Sequence, residues 1–232
     1  MLLNNKELNY SFSQFRLYNE CPKKYQFKYV RGIQEPTNEN LLIGSIIHEI
    51  LETAKDMEGQ DYKDAIQRLR DLYGYFYPNK LEDEVKELIK DKDILAQELK
   101  LFLDDFIGII DLVYKVTDKP YNYVIADYKV TKKPKTQESI YSEGQLLIYK
   151  YIYCKINNID PSKVAVQYIN IAPFLKEKLI APIEPYNPDI SECESVWEKA
   201  NEAKQKILYG EFPKKKTWCK WCFYREECNN EP

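Results

Sequence analysis

Four cysteines divided between the two ends of the chain constrain its fold more than any other feature. Cys21 lies near the start of the 232-residue sequence, and Cys219, Cys222 and Cys228 close it in a C-x2-C-x5-C run. Three thiolates this close in sequence can hold one metal centre, and Cys21 is the obvious donor of a fourth ligand. The sequence therefore predicts that a cofactor connects the two ends of the chain.

The composition is that of a folded protein with reduced cysteines. The chain is 44% hydrophobic and 31% charged, with 20 tyrosines and only 7 glycines, which argues against disorder. Six cysteines with this distribution do not form a disulfide scaffold. The first residues lack the apolar segment of a signal peptide, and no apolar run approaches the length of a membrane span. We therefore expect a cytoplasmic protein that does not enter a membrane. The net charge of −3 provides no global basic surface for nucleic acid.

The predicted elements follow the order helices, three strands, helix, two strands, helix. Helices are expected at 41–57, 61–77, 81–94, 142–156 and 189–208, after a first helix that Ser11 caps, and strands at 98–106, 108–116, 121–130, 163–171 and 179–183. This order predicts an α/β fold with a central sheet flanked by helices. Within a single domain, we expect a helical subregion (1–95), a catalytic sheet core (96–185) and a C-terminal helix with the cysteine-rich segment (186–232).

Two carboxylates and a lysine on neighbouring predicted strands form the first candidate site. Asp111 ends the segment Gly108-Ile109-Ile110-Asp111, and sixteen residues later the chain continues Asp127-Tyr128-Lys129. Residues two apart on a strand point to the same face, so Asp127 and Lys129 project together, beside Asp111 if the strands pair as a hairpin. Such carboxylates can hold Mg²⁺ or Mn²⁺, and a nearby lysine can orient or deprotonate water or offset charge on a phosphate. Alone, D-x-K is a weak motif.

Three further residues give the D-x-K motif its context. His48, the only histidine in the chain, ends the segment Gly44-Ser45-Ile46-Ile47-His48, upstream of both aspartates. Gln145 and Tyr149 lie downstream, four residues apart, and so share one face of a predicted helix. Each of these residues alone is more often a packing residue than a functional one. Their order along the chain is what indicates a shared site.

In this order the pieces resemble the RecB-like branch of the PD-(D/E)xK nuclease superfamily, whose pattern is G-x-x-x-H, G-x-x-D, D/E-Y-K and Q-x-x-x-Y. The cysteine arrangement is similar to that of the iron–sulfur members, such as the AddB nuclease domain and the CRISPR-associated Cas exonucleases of the fourth family. The resemblance extends from about Ser11 to Cys228. It implies a restriction-endonuclease-like α/β core with a mixed sheet.

The resemblance also implies a role for each matching residue. The matches are the metal ligands His48, Asp111, Asp127 and the backbone carbonyl of Tyr128, the catalytic lysine Lys129, and Gln145 and Tyr149, which line the site and contact the DNA backbone. Glu98 resembles a glutamate often found on the preceding strand. The chain departs from the family pattern at Leu112, where many relatives have arginine, and at Val130, where threonine is usual.

Zinc and an iron–sulfur cluster both accept the four thiolates of Cys21, Cys219, Cys222 and Cys228. Structural zinc sites usually take their ligands from two close pairs, whereas these cysteines divide one and three. Together with the resemblance, this division favours a structural 4Fe-4S cluster. Cys154 and Cys193 are left over, and the apolar surroundings of Cys154 predict a small core residue.

These motifs together predict an enzyme. We expect a Mg²⁺- or Mn²⁺-dependent exonuclease that hydrolyses phosphodiester bonds in single-stranded DNA or at frayed duplex ends. The alternative is a DNA-end-binding subunit whose nuclease activity is weak or requires a partner, such as a CRISPR integrase or a recombination helicase. Spacer acquisition, phage recombination and repair all use this chemistry, and the sequence leaves the context, the polarity of digestion and the oligomeric state open.

Overall fold

The computed structural model describes residues 10–36, 39–74, 76–172, 178–215 and 219–230, with the backbone alone for residue 76. Residues 1–9, on which the expectation of no signal peptide rests, lie outside the described part. The α-helices are α1 (Phe12–Glu20), α2 (Pro22–Tyr25), α3 (Glu39–Thr53), α4 (Gln60–Tyr73), α5 (Phe76–Ile89), α6 (Gln137–Glu143), α7 (Gln145–Asn157), α8 (Ile190–Leu208) and α9 (Arg225–Asn229). The strands are β1 (Tyr10–Ser11), β2 (Asp93–Leu103), β3 (Phe106–Lys115), β4 (Tyr123–Val130), β5 (Val164–Ile171) and β6 (Ile180–Pro182).

The chain divides into two compact units. Unit 1 consists of Met1–Pro36, Phe102–Gly108 and Ser195–Pro232, and unit 2 consists of Thr37–Leu101 and Ile109–Glu194. The four cysteines of the predicted cofactor site belong to unit 1. The predicted catalytic residues all belong to unit 2.

The sheet of unit 2 is mixed, as the sequence predicts. β3 and β4 form an antiparallel pair, and β5 runs parallel to β4. β6 pairs antiparallel with β5, and β2 pairs with β3. The α/β fold with a mixed sheet between helices is therefore confirmed. Within the described residues, no helix combines the length and apolarity that crossing a membrane requires.

Strand alternation determines which side chains of unit 2 reach the core. Helices α3, α4 and α5 bury an apolar cluster against one sheet face, to which β3 contributes Leu112 and Tyr114, and β4 contributes Val124, Ala126 and Tyr128. Successive strand residues point to opposite faces, so Asp111, Asp127 and Lys129 project from the other face. Helix α7 packs against β4 and β5.

Unit 1 brings the two ends of the chain together. Ser11 caps α1 as predicted, because its hydroxyl accepts a hydrogen bond from the backbone N–H of Gln14 at 3.4 Å. The Tyr18 hydroxyl donates to the carbonyl of Glu211 at 2.7 Å. The ring of Tyr224 stacks on Phe27, with centroids 5.4 Å apart and planes at 17°. These contacts place the N-terminal helices beside the C-terminal segment within one unit.

The elements predicted over 61–77, 81–94 and 98–106 have other bounds in the structure, as α4 (Gln60–Tyr73), α5 (Phe76–Ile89) and β2 (Asp93–Leu103). The helix predicted over 142–156 differs for a local reason. The sequence predicts a single helix over 142–156, whereas the chain forms α6 and α7 with a break at Gly144. Gly144 has a φ of +77°, a left-handed conformation that glycine adopts without steric cost. The break ends α6 and makes Gln145 the first residue of α7.

Candidate active site

Asp111 and Asp127 meet at the point where the β3–β4 backbone pairing stops. The last paired residues before the site are Leu112 and Ala126, the immediate neighbours of the two aspartates. Beyond them, the backbone N–H of Tyr128 donates a hydrogen bond of 2.6 Å to Oδ2 of Asp111. A side-chain carboxylate thus accepts from the N–H of the facing strand, and this bond fixes the Asp111 side chain.

His48, Glu98 and Asp111 come together as a potential cation site. One ligand atom from each of the three lies within 4.8 Å of the other two. Nδ1 of His48 is 3.8 Å from Oδ2 of Asp111, and the imidazole meets the ring of Tyr128 edge-on, with centroids 5.9 Å apart. Nitrogen and carboxylate oxygen donors at this separation can bind one divalent cation. In the described part of the chain, no other group of three such residues converges as closely.

Glu98 reaches this group through an unusual backbone conformation. Its φ is +47°, in the left-handed region that a residue with a side chain seldom adopts. Such a residue interrupts the regular alternation of side chains between the two faces of β2. The sequence signal for Glu98 was its position on the strand before Asp111, which predicts nothing about this conformation.

Lys129 is held by residues from two elements. Its Nζ lies 2.7 Å from Oδ2 of Asp127, forming an ion pair, and donates a hydrogen bond of 2.9 Å to Oε1 of Gln145. Nε2 of Gln145 in turn donates to the hydroxyl of Tyr149 at 3.3 Å. The same-face prediction for Asp127 and Lys129, and for Gln145 and Tyr149, agrees with these contacts. The carboxylate of Asp127 faces the lysine and is not one of the three converging ligands.

Tyr168 also contacts Lys129, and no sequence motif indicates this contact. Nζ of Lys129 lies 5.8 Å from the centroid of the buried Tyr168 ring, a cation–π distance. β4 and β5 pair in parallel with Asp127 opposite Tyr168, so β5 presents this ring beside the D-x-K motif. Only the strand pairing reveals the contact, because Lys129 and Tyr168 are 39 residues apart in the sequence.

Burial and mutual repulsion perturb the charges in this site. Burial raises the pKa of Asp111, and the negative charges of Asp127 and Glu98 raise it further. Burial also raises the pKa of Glu98 and of Asp127, although Lys129 opposes the effect at Asp127. The pKa of His48 is lowered, mainly by burial, so its imidazole is neutral near pH 7 and keeps a lone pair. A divalent cation would relieve this repulsion.

The predicted residues line one open cleft of unit 2, with a volume of about 830 Å³. The lining includes His48, Glu98, Asp111, Asp127, Tyr128, Lys129, Gln145 and Tyr149. The structure thus brings every predicted catalytic residue to one place. The catalytic and metal-ligand roles of all these residues stay predictions.

The four cysteines of unit 1 line a second cavity, of about 260 Å³. Cys21 lies between α1 and α2, Cys219 opens a 3₁₀ turn, and Cys228 lies in α9. Burial raises the pKa of the Cys222 thiol, and the nearby ammonium group of Lys24 opposes this. In the same cavity lie four cationic side chains, Lys23, Lys24, Lys215 and Arg225.

The family model for the PD-(D/E)XK nuclease superfamily matches residues 9–229. The chain therefore belongs to this superfamily of phosphodiester hydrolases, whose members act on DNA and typically use a divalent metal.

Two solved structures are similar to the chain. One, from Eubacterium rectale and named "Putative exonuclease", is 14% identical, covers 97% of this chain and 89% of its own, and superimposes with a TM-score of 0.56. The other, SSO0001, is 13% identical over 89% of this chain and 94% of its own, with a TM-score of 0.38. The first likeness supports the fold. A search of curated proteins gives no match.

Proposed function

We propose that the chain is a Mg²⁺- or Mn²⁺-dependent DNA exonuclease that acts on single strands or frayed duplex ends. The observation that carries the proposal is the convergence of His48, Glu98 and Asp111 within 4.8 Å, in the same cleft as Lys129. The resemblance to iron–sulfur exonucleases and the name of the Eubacterium rectale relative support the exonuclease assignment.

The cation, when bound, would polarise a non-bridging phosphate oxygen and promote attack by water. His48, Glu98 and Asp111 would hold it, and the Tyr128 N–H keeps Asp111 oriented for this role. Asp127 is the fourth candidate ligand, and it also positions the lysine.

Lys129 would stabilise the charge that develops on the phosphate. A lysine ammonium group has three donors, and Asp127 and Gln145 contact it at 2.7 and 2.9 Å. The ammonium group keeps donor capacity with which it can orient the attacking water or bind a phosphate oxygen. Because Asp127 and Gln145 fix the ammonium group before substrate arrives, little reorganisation is needed during the reaction.

End-labelled single- and double-stranded DNA, incubated with Mg²⁺, with Mn²⁺ and with EDTA, tests this proposal. We expect metal-dependent release of nucleotides from ends, and loss of cleavage in Lys129→Ala with DNA binding retained. Lys133→Ala is the matched control, because Lys133 is an exposed lysine outside the cleft lining. Cleavage by Lys129→Ala at the wild-type rate would refute the assignment. DNA binding without cleavage by the wild type, restored by a CRISPR integrase or recombination helicase, would instead indicate a partner-dependent subunit.

We further propose that Cys21, Cys219, Cys222 and Cys228 bind a structural 4Fe-4S cluster. A tetrahedral zinc site, with Zn–S bonds of about 2.3 Å, needs its sulfurs within about 4 Å of one another. In the described part of the chain, no three of these sulfurs lie within 4.8 Å of one another, although all four residues line one cavity. A cluster separates its thiolates by its own iron and sulfide atoms, so it suits this spacing better.

The charges around the cavity also suit a cluster. Four thiolates carry more negative charge than the net positive core of irons and sulfides offsets, and the cationic side chains at the cavity, which outnumber the one acidic residue among the described residues there, Glu20, would balance the remainder. Elemental analysis and the absorbance spectrum of protein purified without oxygen test this assignment. Iron, sulfide and a brown colour are expected, whereas a colourless protein with one zinc per chain would contradict the cluster.

A further inference from the structure

Two aliphatic side chains that line the catalytic cleft keep much of their surface exposed. Leu41 is 62% exposed and Ile109 is 40% exposed, and both border the cavity that contains His48 and Asp111. Folding leaves much of their apolar surface in contact with water, so the free energy that burying it would contribute is still available to a bound molecule. Since that surface lies inside the cleft, a bound molecule is positioned to cover it.

Both side chains lie beside the candidate cation site for reasons of helix and strand geometry. Leu41 is seven residues before His48 on α3, and residues separated by two helical turns share a face. Ile109 is two residues before Asp111 on β3, so it projects from the same sheet face, about 7 Å along the strand. Leu41 thus lies about 10 Å along α3 from His48, and Ile109 about 7 Å along β3 from Asp111, each on the same side of its element as the candidate ligand.

Gly44 leaves a space between Leu41 and His48. It lies three residues after Leu41 and four before His48, on the same helical face, and it also lines the cleft. A Cβ atom at Gly44 would meet no protein atom within 4 Å. Glycine destabilises a helix interior relative to alanine, and the protein's own packing gives no reason for it here. The vacant space therefore points to a molecule that approaches this part of the helix closely.

We propose that Leu41, Gly44 and Ile109 form an apolar subsite that receives an unpaired nucleobase of the strand being cut. This inference rests on the proposed nuclease function and specifies its substrate. A nucleotide carries its flat, weakly polar base a short distance from its phosphate, so a phosphate beside His48 and Asp111 brings the base to this subsite. A base inside a duplex is stacked on its neighbours, so only an unpaired base can offer its face to Leu41 and Ile109.

Single-stranded oligonucleotides that carry one abasic residue at successive distances from the end test the proposal with the full-length protein. At one distance, the missing base should lower kcat/KM at the nearby bond by about tenfold, as expected when a base loses its side-chain platform. Leu41→Ala should cause a similar loss on the intact strand and little further loss on that abasic strand, because the two changes remove one contact. Leu42→Ala is the matched control, since Leu42 is an exposed neighbour outside the cleft lining.

Gly44→Ala gives a second, independent readout. The substitution should leave the melting temperature equal or higher, since alanine favours the helix and meets no neighbour, yet it should raise KM for the intact strand. Equal kcat/KM values for Leu41→Ala and Leu42→Ala would overturn the subsite. It would also be overturned if the loss of Leu41→Ala on the abasic strand equalled the product of the two single losses, since the two changes would then act independently.

Failure of the subsite can be separated from failure of the nuclease assignment. If the wild type cuts no strand with Mg²⁺ or Mn²⁺, the proposed function fails, and binding of the same labelled oligonucleotides in Ca²⁺ is measured by fluorescence anisotropy. The subsite would still be supported if Leu41→Ala bound the intact strand more weakly than the wild type did, and bound the abasic strand no more weakly than the intact one. Equal binding by wild type, Leu41→Ala and Leu42→Ala would overturn it.

Discussion

Replacing Asp111 with asparagine should separate the activity of the protein from its stability. Asp111 is almost fully buried, and burial together with the charges of Asp127 and Glu98 raises its pKa. Without a cation, its negative charge therefore opposes folding. Asparagine keeps an oxygen that can accept the hydrogen bond from the Tyr128 N–H, so the substitution removes the charge and preserves the local structure.

The distance between the carboxylates sets the size of the effect. The ligand atoms of Glu98 and Asp111 lie within 4.8 Å of each other, and two unit charges at that separation repel by about 3.5 kcal/mol at an effective dielectric constant of about 20. Proton uptake by the raised-pKa carboxyls already relieves part of this repulsion. We therefore expect asparagine to raise the free energy of unfolding in EDTA by about 1–2 kcal/mol. For a chain of this size, that corresponds to an increase of about 3–6 °C in melting temperature.

Thermal unfolding in EDTA, followed across pH, measures this difference. A carboxyl whose pKa is raised on folding gives most stability at low pH, and this stability is lost as pH rises through the folded pKa. The wild type should therefore approach the Asp111→Asn variant in stability as pH falls towards the ordinary range of aspartate. Mn²⁺ should stabilise the wild type far more than the variant, which lacks a ligand. Cleavage by the variant should fall by about a thousandfold or more.

Two results would refute this reasoning. One is a variant that unfolds at a lower temperature than the wild type in EDTA at neutral pH, since the charge of Asp111 would then be stabilising. The other is a variant that retains cleavage, since the carboxylate would then be unnecessary for binding the cation.

Three further substitutions test the positioning of Lys129, the candidate cation site and the cysteine cavity of unit 1. Gln145→Leu removes the hydrogen bond that the Lys129 ammonium group donates to Gln145, so kcat should fall by about 10–100-fold, more than DNA affinity does, and an unaltered kcat would contradict the positioning role. Glu98→Gln should weaken Mn²⁺ binding by about 10–100-fold, visible as partial rescue of cleavage at higher Mn²⁺, whereas wild-type metal dependence would exclude Glu98 as a ligand. Cys222→Ser should lose the cofactor and lower the stability of unit 1 to proteolysis, while Cys154→Ser, at a buried cysteine outside the cavity, should keep the cofactor. Full cofactor content in Cys222→Ser would disprove its role as a ligand.

The site residues that the sequence predicted are those whose geometry depends on local periodicity. Asp127 and Lys129 are two apart on one strand, and Gln145 and Tyr149 are four apart on one helix, so spacing alone puts each pair on one face. The helix predicted over 41–57 is likewise present as α3, whose isoleucines and leucine recur at helical spacing around His48 and are buried. Residue spacing within one helix or strand determines which side chains share a face, and this does not depend on the tertiary structure.

The features that the sequence did not reveal depend on tertiary structure. Glu98 turns towards His48 and Asp111 through a positive φ, which no propensity of glutamate predicts. Tyr168 contacts Lys129 only because β5 pairs with β4 in one register. The helical pattern predicts that Gly144 lies within a continuous helix, since a single glycine is tolerated there. Its left-handed conformation, which ends α6, depends on how the two helices pack.

A crystal soaked in Mn²⁺, with anomalous scattering recorded at the manganese absorption edge, tests the central claim most directly. We predict an anomalous peak within coordinating distance of His48, Glu98 and Asp111, with Lys129 at hydrogen-bonding distance from Asp127 and Gln145. A peak elsewhere in the molecule, or no peak in this cleft at saturating Mn²⁺, would contradict the account.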